Sequence, residues 1–181
     1  MYLNCHSYHS LRYGTIPVDE LIAQAKTCGV TALALTDINT ITGIYEFKKR
    51  CDEASIKAIV GVEFRQNNKL LYIGLAKNQN GIGEMCRLLT KHNLSKTELP
   101  YFAPNFENVI IIYPSENAPE NLRNFEYIGI KPTEIIKLFK PDWKQFIPKA
   151  VILQPVTFST KKEYNLHRIL RAIDNNTLYQ N

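Results

Sequence analysis

Apolar positions along the chain alternate between two spacings. PVDELIAQAKTCG (17–29) repeats them at helical spacing, at Val18, Leu21, Ile22 and Ala25, with Pro17 suited to a first turn and Gly29 to a stop. VTALALTD then reads as a strand with Asp37 at its carboxyl end. GIYEFKKRCDEAS returns to helical spacing at Ile44, Phe47, Cys51 and Ala54. IKAIVGVEF, ending near Glu63, and LLYIGLA are further buried strands. NQNGIGEMCRLLTKHN is a helix with Met85, Leu88 and Leu89 inward, followed by a loop, LPYFAPNFEN. NVIIIY and FEYIGI are strands, PTEIIKLFK a short helix and KAVILQPV another strand. KEYNLHRILRAID closes the series as a helix with an apolar stripe at Leu166, Ile169, Leu170 and Ile173.

Alternating strands and helices predict an α/β fold, mostly parallel strands with helices outside, either a barrel or an open sheet. Both place function at the carboxyl ends of the strands, where Asp37 and Glu63 fall. Neither GxGxxG nor GxxxxGKS occurs, so dinucleotide and P-loop sites have no support.

Composition changes this picture little. The 181 residues suit one domain, and 45% apolar with 22% charged residues is ordinary for a globular chain. The net charge of +5 comes from 22 Lys and Arg against 17 Asp and Glu, scattered along the sequence. That predicts weak, salt-sensitive or indirect DNA contact at most. Cys5, Cys28, Cys51 and Cys86 form no CxxC pair, and no apolar run is long enough to span a bilayer. Reduced, mostly core thiols in a cytoplasmic protein are expected, with no membrane partner.

The candidate chemistry starts at NCHSYHSLRYGT, where His6 and His9 lie three apart. Two imidazoles can hold a metal only if further donors converge on them. Each candidate also has an ordinary structural role. Asp37 in TDINT can cap a turn, Glu63 can pair with a neighbouring Arg65, and a neutral His6 can bond to Asp37 or Glu63 without any metal. His92 at a helix end suits the helix dipole, and His167 beside an apolar stripe suits packing.

The blocks NCHSYHSLRYGT, ALALTD, GIYEFKKRCDEASIKAIVGVEF, LAKNQNGIGEMCRLLT and NLHRILRAIDNNTL resemble, in this order, the PHP domain at the N-terminus of bacterial DNA polymerase III alpha subunits. The resemblance implies a distorted (β/α)7 barrel over residues 1–181. In that family a rim cluster of His, Asp, Glu and sometimes Cys binds metals that activate water for phosphoester hydrolysis. The family's opening His-x-His is here Asn4-Cys5-His6, so only His6 matches. Asp37 matches, but the histidine after it is Ile38; Glu63 matches; the next expected histidine is Leu71. The closing Asp-x-His falls on Pro155 and Thr157.

Three remnant positions, His6, Asp37 and Glu63, thus face five lost ones, with His9 a possible substitute. The resemblance therefore implies a dismantled metal site with no cofactor. The alternative is a single zinc or manganese on His6, Asp37 and Glu63, as in a histidinol-phosphatase-type phosphoesterase. It also implies an N-terminal piece of a longer subunit. The magnesium-binding palm would lie in the rest of that subunit, and this domain would pack on it and on a proofreading exonuclease. A free-standing binding module is the remaining alternative.

Overall fold

A computed structural model describes residues 1–178. The elements are β1 (Tyr2–Cys5), α1 (Val18–Thr27), β2 (Ala32–Leu35), α2 (Ile44–Ala54), β3 (Lys57–Gln66), β4 (Lys69–Ala76), α3 (Gln79–Ser95), β5 (Val109–Pro114), β6 (Glu126–Ile130), 3₁₀ helices Pro132–Phe139 and Pro141–Lys149, β7 (Ala150–Ile152), β8 (Pro155–Val156) and α4 (Lys161–Asp174). The fold is α/β, and five of the seven strand pairings are parallel. The chain forms two compact units: Met1–Val60 with the segment from Pro155 onward, and Gly61–Gln154.

In the first unit the strand order is β8-β1-β2-β3, all parallel. Val18, Leu21, Ile22 and Ala25 of α1 and Phe47 and Cys51 of α2 close one core with Cys5, Leu33 and Leu35 from the strands. The helices use the spacing that the sequence shows. Acidic Asp19 and Glu20 open α1 and Lys26 ends it, as the helix dipole favours. Thr160 and Glu163 form a reciprocal capping box at the start of α4. The apolar stripe of α4 departs from expectation: Leu166, Ile169 and Ile173 are 46, 42 and 61% exposed. The helix instead turns His167 inward, where its ring packs on Tyr13 and Phe158 and its Nδ1 donates to the Tyr13 carbonyl.

In the second unit the later residues of β3 pair antiparallel with β4, which pairs antiparallel with β5; β5, β6 and β7 are parallel. A two-residue connection, Asn67–Asn68, joins β3 to β4, with both residues at positive φ, and this forces the reversal. Met85 and Leu89 of α3 face the core, and Leu88 is half-buried.

PTEIIKLFK forms a 3₁₀ helix rather than an α-helix, with a second 3₁₀ helix behind it. Pro132, Pro141 and Pro148 remove donors at short intervals. KAVILQPV is two strands, not one. Leu153, just past β7, is buried and donates to the Ile130 carbonyl at the end of β6, and Pro155 starts β8 as a non-donating residue.

Buried polar groups pin the 101–106 loop to this unit. Tyr113 Oη donates to Glu126 Oε1 (3.1 Å) and accepts from the Ala103 N–H. Arg123 donates its Nε to Glu126 (2.7 Å) and its guanidinium to the Ala103 carbonyl (2.6 Å). Burial alone would raise the Glu126 carboxyl, but the Arg123 bonds and charge outweigh it and hold the group below its ordinary 4.5. A depressed folded value means stability that is present above the unfolded value and lost as pH falls through the folded one. Glu84, Glu116, Glu134 and Glu163 shift the same way. Urea midpoints should therefore fall as the buffer drops below about 4.5, and Glu126→Gln, less stable at neutral pH, should show a shallower acid loss.

Candidate functional site

Strand ends bring most of the matched positions in the first unit together. β1 pairs with β8 in the register Asn4 to Pro155 and Cys5 to Val156, and with β2 up to Leu35. Asn4, His6, Asp37 and Thr157 consequently gather where β1, β2 and β8 end, and all are buried. The Thr36 hydroxyl donates to Asn4 Oδ1 (2.8 Å), and His6 Nδ1 lies 3.0 Å from Thr157 Oγ1. Asn4 and Thr157, two positions at which the resemblance implies a lost ligand, therefore bond to neighbours through their own side chains. Pro155 is exposed and Ile38 half-buried.

Asp37 is the most heavily engaged of these groups. Its Oδ1 accepts from the Ser7 N–H (2.7 Å) and the Ser10 hydroxyl (2.6 Å), and its Oδ2 from the Ser7 hydroxyl (2.7 Å). Ser10 Oγ also accepts from the Ile38 N–H, so one hydroxyl links the carboxylate to the backbone beyond it. Ser7 and Ser10 lie in a tight turn in which Ser10 donates to the Ser7 carbonyl and Gly14 to the Ser10 carbonyl. A Cβ on Gly14 would lie 1.8 Å from the Ser7 carbonyl oxygen, so only glycine fits beneath this turn.

His9 is turned towards α2. Its ring packs on Tyr8 and over Gly43, and its Nε2 is 3.8 Å from Glu46. That nitrogen is buried without a hydrogen-bond partner among the described residues. The Cys5 thiol, between Asn4 and His6, is pushed up to about 12, chiefly by burial and secondarily by the Asp37 charge. It stays protonated at neutral pH. Cys51 is buried, Cys86 half-buried and Cys28 exposed, so one thiol departs from the expected core role.

The second unit carries Glu63 and Leu71. Glu63 is fully buried on β3 and forms an ion pair with Arg65, whose side chain is 16% exposed. A strand's two-residue period places both side chains on one face, so the pairing follows from Glu-x-Arg spacing. Leu71 is buried, and the β3–β4 register passes from Phe64–Tyr72 to Arg65–Leu70, leaving Leu71 as the extra residue of a bulge.

Sequence reading singled out Asp37 but not Ser7, Ser10 or Gly14, which hold it. The legible signal is a serine directly after each of the two histidines, Ser7 after His6 and Ser10 after His9. Glu63 and Arg65 form the pair that the sequence offered, with Glu63 fully buried.

Removing one member of a buried ion pair leaves an uncompensated charge, at a cost of about 3–5 kcal/mol. Arg65→Met should therefore destabilise the chain by about that much in urea titration, and Arg65→Met with Glu63→Gln by much less. Ser10→Ala removes one of the two hydrogen bonds to Asp37 Oδ1 and takes the acceptor from the Ile38 N–H, and should cost about 1–3 kcal/mol. Asp37→Ala should cost at least as much, and thermal melts of each variant check both.

A family model described as PHP domain matches residues 3–127. The chain is similar to DNA polymerase III subunit alpha of Staphylococcus aureus (strain COL), 25% identical over 190 residues, covering 97% of this chain and 17% of that protein. The counterpart from Ureaplasma parvum is 27% identical over 173 residues, covering 96% and 16%. The error-prone DNA polymerase of Symbiobacterium thermophilum is 34% identical over 96 residues, covering 53% and 9%. The chain thus spans less than a fifth of the length of these relatives. Among solved structures, an amidohydrolase from Chromobacterium violaceum overlays with a TM-score of 0.43 at 13% identity, covering 97% of this chain and 84% of that one. The family match runs through the turn around Asp37, through Glu63 and through the β3–β4 bulge, and on it this chain belongs to the PHP domain family.

Proposed function

We propose that this chain is the N-terminal PHP domain of a DNA polymerase III alpha subunit, acting in the cytoplasm as a non-catalytic scaffold. Its partners would be the rest of that subunit and a proofreading exonuclease, with any DNA contact weak or indirect. The polymerase part rests on the relatives, several of which are alpha subunits. The non-catalytic part rests on one observation: the matched donors are already committed to protein partners.

Asp37 accepts three hydrogen bonds from Ser7 and Ser10, and Glu63 is neutralised by a guanidinium. His6 Nδ1 meets a threonine at a position where the family has histidine. A divalent ion at Asp37 would have to displace its three hydrogen bonds and would meet the aliphatic Ile38 next to it, and one at Glu63 would have to displace the guanidinium. The residues therefore do not fit a cluster of two or three metals, and no hydrolytic step is assigned to them.

Plasma mass spectrometry of the purified chain, dialysed against trace zinc and manganese, tests this reading. The expected result is well under one equivalent of either metal, with no hydrolysis of p-nitrophenyl phosphate. A full equivalent that is lost in His6→Ala or Asp37→Ala, with phosphatase activity lost alongside it, would overturn the proposal in favour of a single-metal phosphoesterase.

A further inference from the structure

The 3₁₀ helix Pro132–Phe139 is inside out. Its three-residue period stacks Glu134 on Lys137 and Ile136 on Phe139. The polar row faces the protein: Lys137 Nζ donates to Glu134 (2.7 Å) and to Ser115 (3.0 Å), and Ser115 donates to Glu134. The apolar row faces solvent, with Ile136 70% and Phe139 79% exposed. Ile135 of the same helix and Ile147 of the next are 48 and 51% exposed. A short helix that spends its ion pair on the interior and leaves its largest apolar groups in water lacks a partner for them.

The charges around this face are also uneven. Residues 131–149 hold five lysines against Glu134 and Asp142. Lys131 pairs with Glu116, Lys137 with Glu134, and Lys149 donates to the Leu122 and Arg123 carbonyls. Lys140 and Lys144 are exposed and have no ion pair among the described residues. Both lie within five residues of Phe139 in the sequence.

We propose that Ile136 and Phe139, with Lys140 and Lys144, form a docking surface for an acidic peptide segment of a partner protein that also carries apolar side chains. Charge complementarity selects such a segment: its carboxylates meet the two unpaired ammoniums and its apolar groups cover Ile136 and Phe139. A bilayer surface is the weaker fit. Two free lysines give an anionic membrane surface little to hold. The one tryptophan in the segment, Trp143, is half-buried against Phe146. The proposal is independent of the metal question.

Fluorescence anisotropy of the chain with a short labelled peptide alternating Asp and Glu with Leu and Phe tests it. Saturable binding is expected, weakened about tenfold or more by Ile136→Ser with Phe139→Ser. Lys140→Glu with Lys144→Glu should weaken it comparably at low salt, with the difference shrinking as salt rises. The same peptide with Asn and Gln in place of the acids should bind more weakly. Because all four side chains are exposed, melting temperatures should barely move, and the lysine pair carries the test if the apolar pair does not fold. Absent saturation, binding indifferent to these substitutions, or equal binding of the neutral peptide overturns the proposal. Sedimentation with phosphatidylserine vesicles that depends on the same residues, without peptide binding, assigns the face to a membrane and overturns it too.

Discussion

A carboxylate with almost no water around it organises the first unit. Asp37 is 3% exposed, and an ionised group so placed is tolerable only if the protein replaces its hydration. Ser7 and Ser10 do so, and their side chains reach it only because the chain after β1 folds into a turn tight enough to stack Gly14 against the Ser7 carbonyl. The turn, the glycine and the carboxylate require one another. The same turn delivers Tyr13 to His167 of α4, so the packing of the last helix also follows from it.

Glu63 meets the same constraint differently. It sits on a strand, where no turn can wrap it with N–H groups, and a side chain two residues along supplies the opposite charge. The two acids answer burial with hydrogen bonds in one case and a cation in the other, according to what each backbone allows.

Much of this was legible in the sequence because it depends on periodicity. The stripes of α1 and α2 and the apolar runs of β2 to β6 each follow from spacing alone, and several separated blocks in order pointed to the family. Elements whose fate depends on tertiary context were less legible. The α4 stripe reads as buried because periodicity reports an amphipathic helix, not which neighbour covers it; the ring of His167 decided the rotation. PTEIIKLFK reads as helical by its apolar content, yet with prolines removing donors it is confined to 3₁₀ turns, and a second 3₁₀ helix that the sequence did not announce follows it. At the site, residue identities flagged the carboxylates, but the serines that hold Asp37 are too common a residue type to stand out.

The Glu63–Arg65 pair has a consequence for how this fold is maintained. A dissociable ion neutralises a buried acid only to the extent that its free concentration exceeds its dissociation constant, so stability then follows metal supply by mass action. A guanidinium on the same strand is covalently tethered and cannot be chelated or diluted away. Neutralisation at Glu63 is thus written into the polypeptide and arrives with translation, insensitive to the ionic inventory around it.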